Sequence, residues 1–275
     1  MISLISFIGI LYPQETIPKT TPEVVSQVSK SVVILNTEGR GFTANAQASG
    51  VIINDGKTIV TNLHAIAGAS KVSAHFEDGR DLGATGYLGV DEDRDLVCIY
   101  VPEGIEDDVC PSLVSLEDLK VGQKVIAIGS PQGFANTVSE GIISGIREFE
   151  TGTRIIQTTA PVSPGSSGGG LFNDRGELIG ITSFLHTGGQ NLNFAYPVDY
   201  ILPLLVQTEP RPFTNLKSTV FDDSKANTTV YITRTGEKYH HGSCRYLRKS
   251  KIKTTLLNAV ERAYLPCSVC KPPTW

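Results

Sequence analysis

The chain has 275 residues, of which 40% are apolar. That is enough to fill one core of about 200 residues beside a small module, or two medium cores. Only 19% of residues are charged, which argues against global disorder, and 27 glycines with 15 prolines point to many turns and few long helices. The net charge of −4 is unevenly spread. Residues 224–275 hold 10 basic and 2 acidic residues, while residues 1–223 hold 14 and 26. A break of that kind suggests two modules. Five cysteines are an odd number, which excludes a complete disulfide framework. Cys244, Cys267 and Cys270 cluster near the C-terminus, more in the manner of metal ligands.

In chain order, Ile2–Leu11 is apolar apart from Ser3, Ser6 and Gly9. It is too short to span a bilayer comfortably and resembles the core of a secretory signal. It lacks a basic residue before it and a small-x-small site after it, and a packed N-terminal strand is the alternative. This segment favours an extracytoplasmic location, periplasmic or secreted, over a cytoplasmic one. Residues 13–22, with three prolines and three threonines, read as a linker. A brief helix is expected next, with Thr21 as N-cap and Pro22 at its first position, running to about Lys30.

From Ser31 to about Val198 short apolar runs alternate with turn signals. Gly50–Ile53 and Thr58–Thr61 flank Asn54-Asp55-Gly56-Lys57, a hairpin signature. Lys71–Phe76, Leu96–Val101, Lys124–Ile128, Gly141–Ile146, Arg154–Thr158, Glu177–Ser183 and Asn193–Tyr196 follow as strands. So many strands with no βαβ alternation predict an all-β barrel or sandwich. Four segments are expected: 1–20 apolar segment and linker, 21–207 main domain, 208–226 polar linker, 227–275 small module.

Glycines crowd a serine in Gly165-Ser166-Ser167-Gly168-Gly169-Gly170. A nucleophilic serine needs a sharp turn whose amides converge beside its hydroxyl, and glycine tolerates the positive φ such turns use. Gly165, Ser167 and Gly169 also fit G-x-S-x-G. That elbow requires a following helix, whereas Leu171-Phe172, a turn at 173–176 and Glu177–Ser183 read as strand, turn, strand. A serine nucleophile needs a histidine base, and the base needs a carboxylate to fix its tautomer. His64 follows a strand in Thr61-Asn62-Leu63-His64. Asp95 stands at the mouth of the strand Leu96–Val101, while Asp91 and Asp93 read as loop charges. His75 reads as an ordinary strand residue and His186 as a loop residue.

Several motifs stand in one order: Gly50-Val51-Ile52-Ile53 through Thr61-Asn62-Leu63-His64, Asp95-Leu96, and Val125 through Gly129-Ser130-Pro131-Gln132-Gly133. Gln157-Thr158-Thr159-Ala160 then leads into Gly165-Ser166-Ser167-Gly168-Gly169. Over roughly residues 22–205 the chain resembles the HtrA/Deg-type trypsin-like serine proteases. The resemblance implies two six-stranded antiparallel β-barrels with a cleft between them and a triad of His64, Asp95 and Ser167. It also implies an oxyanion hole from the N–H groups of Gly165 and Ser167. Cleavage would pass through an acyl-enzyme on polypeptide substrates, with no cofactor for catalysis. The S1 pocket would be lined near Ala160–Val162, Thr182–Phe184 and Asn193–Phe194, none acidic, which implies small or medium apolar P1 residues. Ser166 and Gly170 depart from the family's frequent Asn and Pro, and no C-terminal PDZ domain fits in the remaining length. The alternative function is a catalytically silent protease-like scaffold that binds peptides or partners.

In the last segment His240-x3-Cys244 and Cys267-x2-Cys270 form two chelating pairs suited to tetrahedral Zn²⁺. His241 is the reserve for His240, and a module this small needs such a staple. Tyr239-His240, Cys244, a helix near Leu256–Arg262 and Pro266-Cys267-Ser268-Val269-Cys270-Lys271-Pro272 resemble the zinc-binding module of the Ada DNA-repair family. In that family the first ligand is a methyl-accepting cysteine. His240 has no thiolate, so methyl transfer is not expected and a small α+β module with structural zinc is. A nucleic-acid partner for the basic segment is the lesser reading.

Overall fold

The computed structural model describes residues 18–39, 47–105, 109–130, 137–162, 166–183, 193–216, 228–261 and 264–273. The expected signal-like stretch Ile2–Leu11 lies outside them. Among the described residues no helix is long and apolar enough to cross a membrane. The first helix, α1 (Thr21–Val28), starts one residue earlier than expected. Thr20 is the cap: its N–H and hydroxyl both donate to the Glu23 carboxylate at 2.7 Å, half of a capping box. The hydrogen bond from Thr20 holds the Glu23 carboxyl below its ordinary range. Val24 and Val28, one turn apart, are buried.

Seven strands follow: β1 (Val32–Gly39), β2 (Gln47–Ile53), β3 (Thr58–Asn62), β4 (Ala69–His75), β5 (Asp81–Ala84), β6 (Gly86–Asp91) and β7 (Leu96–Tyr100). They form one sheet in the order β5-β4-β1-β2-β3-β7-β6. The expected hairpin is β2–β3, with Ile53 opposite Thr58 and left-handed Asn54 and Gly56 in its turn. The second lobe comprises β8 (Lys124–Gly129), β9 (Thr137–Glu148), β10 (Arg154–Thr158), β11 (Gly170–Asn173), β12 (Leu178–Ser183) and β13 (Asn193–Pro197). It closes as a six-stranded barrel, β10-β13-β12-β11-β8-β9.

The expectation of two six-stranded barrels is therefore met by the second lobe, while the first is a seven-stranded sheet. The difference arises at Thr85, the single residue between β5 and β6. β5 pairs with β4 and β6 with β7, so one bent run of chain serves both edges. The Thr85 N–H reaches the Tyr100 carbonyl at 2.9 Å across the break.

Three apolar clusters account for the packing of the two lobes. One fills the first lobe, with Leu35, Ile52, Ile59 and Leu63. Another fills the barrel, with Val125, Ile156, Leu171 and Ile179. The third lies between the lobes and joins Val24, Val28, Val51, Ile53 and Val60 to Ile126, Phe172, Leu178 and Ile181. Side chains alternate across a strand, so Val51 and Ile53 face the other lobe while Ile52 faces its own. This is why all five residues of β3 are buried: both faces of the strand are covered.

Residues 208–226 were expected to be a polar linker, but their first part is packed. Tyr87 and Arg211 form an antiparallel bridge, and the Arg211 guanidinium sits 4.5 Å from the Tyr87 ring centre. Phe213 and Leu216 are buried in the first lobe's core. The polar composition of the stretch concealed these two anchors.

The last segment forms two small sheets and a helix. β14 (Thr229–Ile232) pairs with β16 (Ile252–Thr255), and β15 (Lys238–Tyr239) with β17 (Leu265–Pro266). The helix α2 spans Leu256–Glu261. Val230, Ile232, Tyr239, Leu256 and Ala259 make the core. So few apolar side chains give little stability unaided.

Phe213→Ala is expected to destabilise the first lobe by about 3 kcal/mol, the usual cost of emptying a buried phenylalanine site. Urea denaturation of the full chain reads this. An unchanged midpoint would mean that residues 211–216 act as a tether only.

Candidate active site and candidate metal centre

Pairing of β3 with β7 places Asn62 opposite Leu96. The residues just beyond each strand end are then neighbours, which is how His64 and Asp95 meet from 31 residues apart. His64 lies on a 3₁₀ turn at Leu63–Ala65. Its Nδ1 is 2.5 Å from Asp95 Oδ2, and its backbone N–H donates to Asp95 Oδ1 at 2.8 Å. One carboxylate thus holds both the ring and the main chain of the same residue.

Asp95 is buried, and its backbone has φ of 55°. Aspartate tolerates the left-handed region better than most residues, and two donors keep it there. Both Leu63 N–H (2.9 Å) and Asn62 Nδ2 (3.0 Å) donate to the Asp95 carbonyl. Asp91, expected as a loop charge, has a structural task. It accepts the Arg94 N–H at 3.0 Å and Nη1 at 2.8 Å, and the Arg94 guanidinium lies 4.1 Å from the Tyr200 ring centre. Burial first, and then the charge of Asp95, pushes the phenol of neighbouring Tyr196 up to about 12. His75 pairs with Asp81 at 3.0 Å on the exposed side of β4–β5.

Ser167 is buried at the start of a tight turn that delivers the chain into β11. Gly169 N–H bonds the Ser166 carbonyl at 3.0 Å, and Gly168 has φ of 83°. The turn is pinned to the first lobe. Ser49 N–H, on β2, donates to the Ser167 carbonyl at 3.2 Å, and Ser49 Oγ accepts Ser130 N–H at 2.8 Å. A Cβ on Gly168 would stand 2.3 Å from Ser49 O, 2.4 Å from Thr61 Oγ1 and 3.3 Å from Asn62 N. Only glycine fits that approach. Gly168 thus packs closely over Ser49 and Thr61, with Asn62, two residues before His64, just beyond. The serine turn and the His64–Asp95 pair thus both adjoin the adjacent strands β2 and β3. Gly165 lies outside the described residues, as do Phe184 and His186. Of the expected S1 lining, Val162 N–H donates to Asn193 Oδ1 at 3.1 Å, joining the run before the serine turn to β13.

Sequence reasoning named Thr61-Asn62 as part of a motif without a task, named Thr182 only as expected S1 lining, and passed over Ser49. No periodicity marks them. What they share is a buried polar side chain beside a glycine-rich turn.

In the last segment His240 Nδ1 and the sulfurs of Cys244, Cys267 and Cys270 all lie within 4.8 Å of one another. His240 Nδ1 is 3.2 Å from Cys244 Sγ and 4.0 Å from Cys270 Sγ. Tetrahedral zinc with Zn–S of about 2.3 Å and Zn–N of about 2.0 Å separates its donors by about 3.5–3.8 Å, so the four groups fit the ion. The ring of His241 turns instead to Ser243 Oγ at 3.1 Å, while its N–H bonds Cys270 Sγ at 3.3 Å. Burial, then the charge of Lys238, lowers the His240 pKa, the direction that favours the neutral imidazole. Burial lifts the Cys270 thiol to about 11. Cys267 moves down although burial opposes it, because the N–H groups of Cys270 and Val269 bond its sulfur.

The fold is of the trypsin-like class, mostly β, with one closed barrel and a seven-stranded half-barrel. The model of the trypsin-like peptidase domain matches residues 48–181. A probable periplasmic serine endoprotease DegP-like from Halomonas elongata is 39% identical over 178 residues, 62% of this chain and 36% of that protein. The serine protease PepD of Mycobacterium tuberculosis is 35% identical over 212 residues, 66% of this chain and 45% of that protein. Among solved structures, the HtrA-type protease AlgW with tripeptide superposes with a TM-score of 0.60 at 30% identity, covering 68% of this chain and 62% of that one. The chain thus spans less than half the length of these two curated relatives.

Gly168→Ala is expected to displace the turn, because the new methyl would overlap two oxygens. Misplacement on the order of 1 Å costs about 100-fold in rate. Fluorophosphonate labelling of Ser167 should fall by at least about that factor; labelling at the wild-type rate would show that the turn tolerates a side chain there.

Proposed function

We propose that this chain is a serine endopeptidase with His64, Asp95 and Ser167 as its triad. The observation that carries the proposal is the seam between the lobes. There a His64–Asp95 pair at 2.5 Å adjoins β3, and the glycine-built serine turn is bonded to neighbouring β2 through Ser49 N–H to Ser167 O at 3.2 Å. The similarity to serine proteases supports the same reading. Ser167 Oγ attacks a peptide carbonyl while His64 Nε2 takes its proton. Asp95 keeps the Nδ1 proton in place and stabilises the imidazolium. The developing oxyanion is received by the N–H groups of Ser167 and Gly165. His64 then protonates the leaving amine, and water, activated by the same imidazole, releases the acyl group. No cofactor takes part in these steps. The substrates are polypeptides, with small or medium apolar side chains at P1.

The remaining readings concern the whole chain. The first lobe is taken as a barrel seamed at Thr85, residues 21–216 as the protease unit and 227–275 as an Ada-like module. His240, Cys244, Cys267 and Cys270 would hold a structural zinc ion that supplements the module's small apolar core. Similarity to proteins named periplasmic endoproteases favours an extracytoplasmic site of action. The competing function, a silent scaffold, keeps peptide binding but predicts no acylation.

Two experiments test this. Fluorophosphonate should label the wild type, and casein should be cleaved, with both lost in Ser167→Ala; equal cleavage by the two proteins would remove Ser167 from the mechanism. For the module, a chelator should release one equivalent of zinc and free the thiolates, and metal affinity should fall as pH drops, because the ligand forms are thiolate and neutral imidazole. Caseinolysis should survive chelation. Joint loss of zinc and cleavage would show that the two parts are not separable.

A further inference from the structure

We infer that Thr182 is a positioning residue that aims the Ser167 N–H at the substrate oxyanion. This role rests on the protease reading above. Thr182 lies on β12 and is 1% exposed. It meets the serine turn at four points. Its N–H donates to the Gly169 carbonyl at 2.8 Å, and its carbonyl accepts Gly168 N–H at 2.9 Å. Its hydroxyl stands 2.7 Å from the Ser166 carbonyl oxygen and 3.1 Å from that of Gly169. A hydroxyl carries one proton, and the shorter contact makes Ser166 O its main acceptor.

The consequence follows from peptide geometry. Ser166 C=O and Ser167 N–H belong to the same peptide unit. A trans peptide is planar, with its carbonyl and N–H pointing in opposite directions. Whatever fixes the Ser166 carbonyl therefore fixes the Ser167 N–H. Two donors fix it, the Thr182 hydroxyl from β12 and the Gly169 N–H from within the turn at 3.0 Å, and together they occupy both lone pairs of the oxygen. The main-chain bonds of Thr182 hold Gly168 and Gly169 to β12 but do not reach the 166–167 peptide itself, which the hydroxyl engages directly. The Thr182 bond ties it to the barrel wall, where β12 is paired on both sides, to β11 and β13. Donation to the carbonyl also polarises the peptide, which strengthens the N–H as a donor.

A donor that must point where charge develops acts mainly in the transition state, so its misalignment lowers kcat more than it raises KM. The test compares Thr182→Val, which keeps the branched shape and removes the hydroxyl, with Thr182→Ser, which keeps the hydroxyl. Both are made in the full chain and assayed with a fluorogenic peptide, a peptidyl boronic acid and thermal melting. Thr182→Val should lose about 10- to 100-fold in kcat, less than or equal to the loss of a whole oxyanion donor. KM should stay within about twofold, and boronate affinity should drop by the same factor as kcat/KM, since that adduct carries the tetrahedral charge. Thr182→Ser should recover most of the rate.

A Thr182→Val enzyme with wild-type kcat, or one whose only change is a lower melting temperature, overturns the role. So does equal impairment of Thr182→Ser in folded protein. Where the valine variant does not fold, Thr182→Cys against Thr182→Ser is the working pair. They are near in shape and differ in donor strength, and equal kcat in the two rejects the inference. If the wild type itself takes no label at Ser167, the protease reading fails and this role fails with it. A labelled, active wild type with an unaffected Thr182→Val rejects the Thr182 role alone.

Discussion

The structure depends on the contact between the serine turn and strands β2 and β3. Two lobes with separate cores must be held in one register, or side chains supplied by each would not meet. Apolar packing between the lobes supplies attraction, but burial is non-directional. Direction comes from a few polar contacts at the seam. Ser49 bonds Ser167 through its N–H and Ser130 through its hydroxyl. Gly168 fills a gap too small for a methyl group against Thr61 and Asn62. These contacts act at the turn itself, so error in the lobe-to-lobe angle is not amplified before it reaches Ser167.

The same seam explains why the first lobe's half of the site is rigid. β3 is covered on both faces, and its end is fixed to the end of β7 by Asn62 and Leu63 donating to the Asp95 carbonyl. Asp95 then occupies a backbone conformation that would be unfavourable in an open loop. Its carboxylate grips His64 twice. A change at Asn62 would be felt at His64 through Asp95, although Asn62 is not itself placed to react.

Much of this architecture was legible in the sequence because it is written in local patterns. The β2–β3 hairpin follows from Asn54-Asp55-Gly56-Lys57 between apolar runs. The serine turn follows from glycines on both sides of Ser167, and the residues of the metal cluster from two spaced pairs of ligands. What was not legible depends on distant parts of the chain. The packing of Phe213 and Leu216 is set by the first lobe's apolar core, which composition does not reveal. The break at Thr85 is set by one strand serving two edges. Asp91 read as a loop charge because its partner Arg94 gains meaning only beside the Tyr200 ring, more than a hundred residues away. The capping residue moved from Thr21 to Thr20 because both could cap and only Thr20 stands three residues before Glu23.

The polar residues whose task the sequence did not reveal share a physical logic. A buried hydroxyl is costly unless bonded, so Thr182, Ser49 and Thr61 persist inside the molecule only where a carbonyl or N–H needs them. At each of the three that partner belongs to the seam: Ser166 for Thr182, Ser130 for Ser49, and Ser49 itself for Thr61. Such a network is directional where the apolar core is not. Each member is worth on the order of 1 kcal/mol to stability, yet a tilt of one peptide can cost far more in a transition state that needs a donor in a single direction. Selection on rate would then hold these hydroxyls in place even where selection on stability would accept valine.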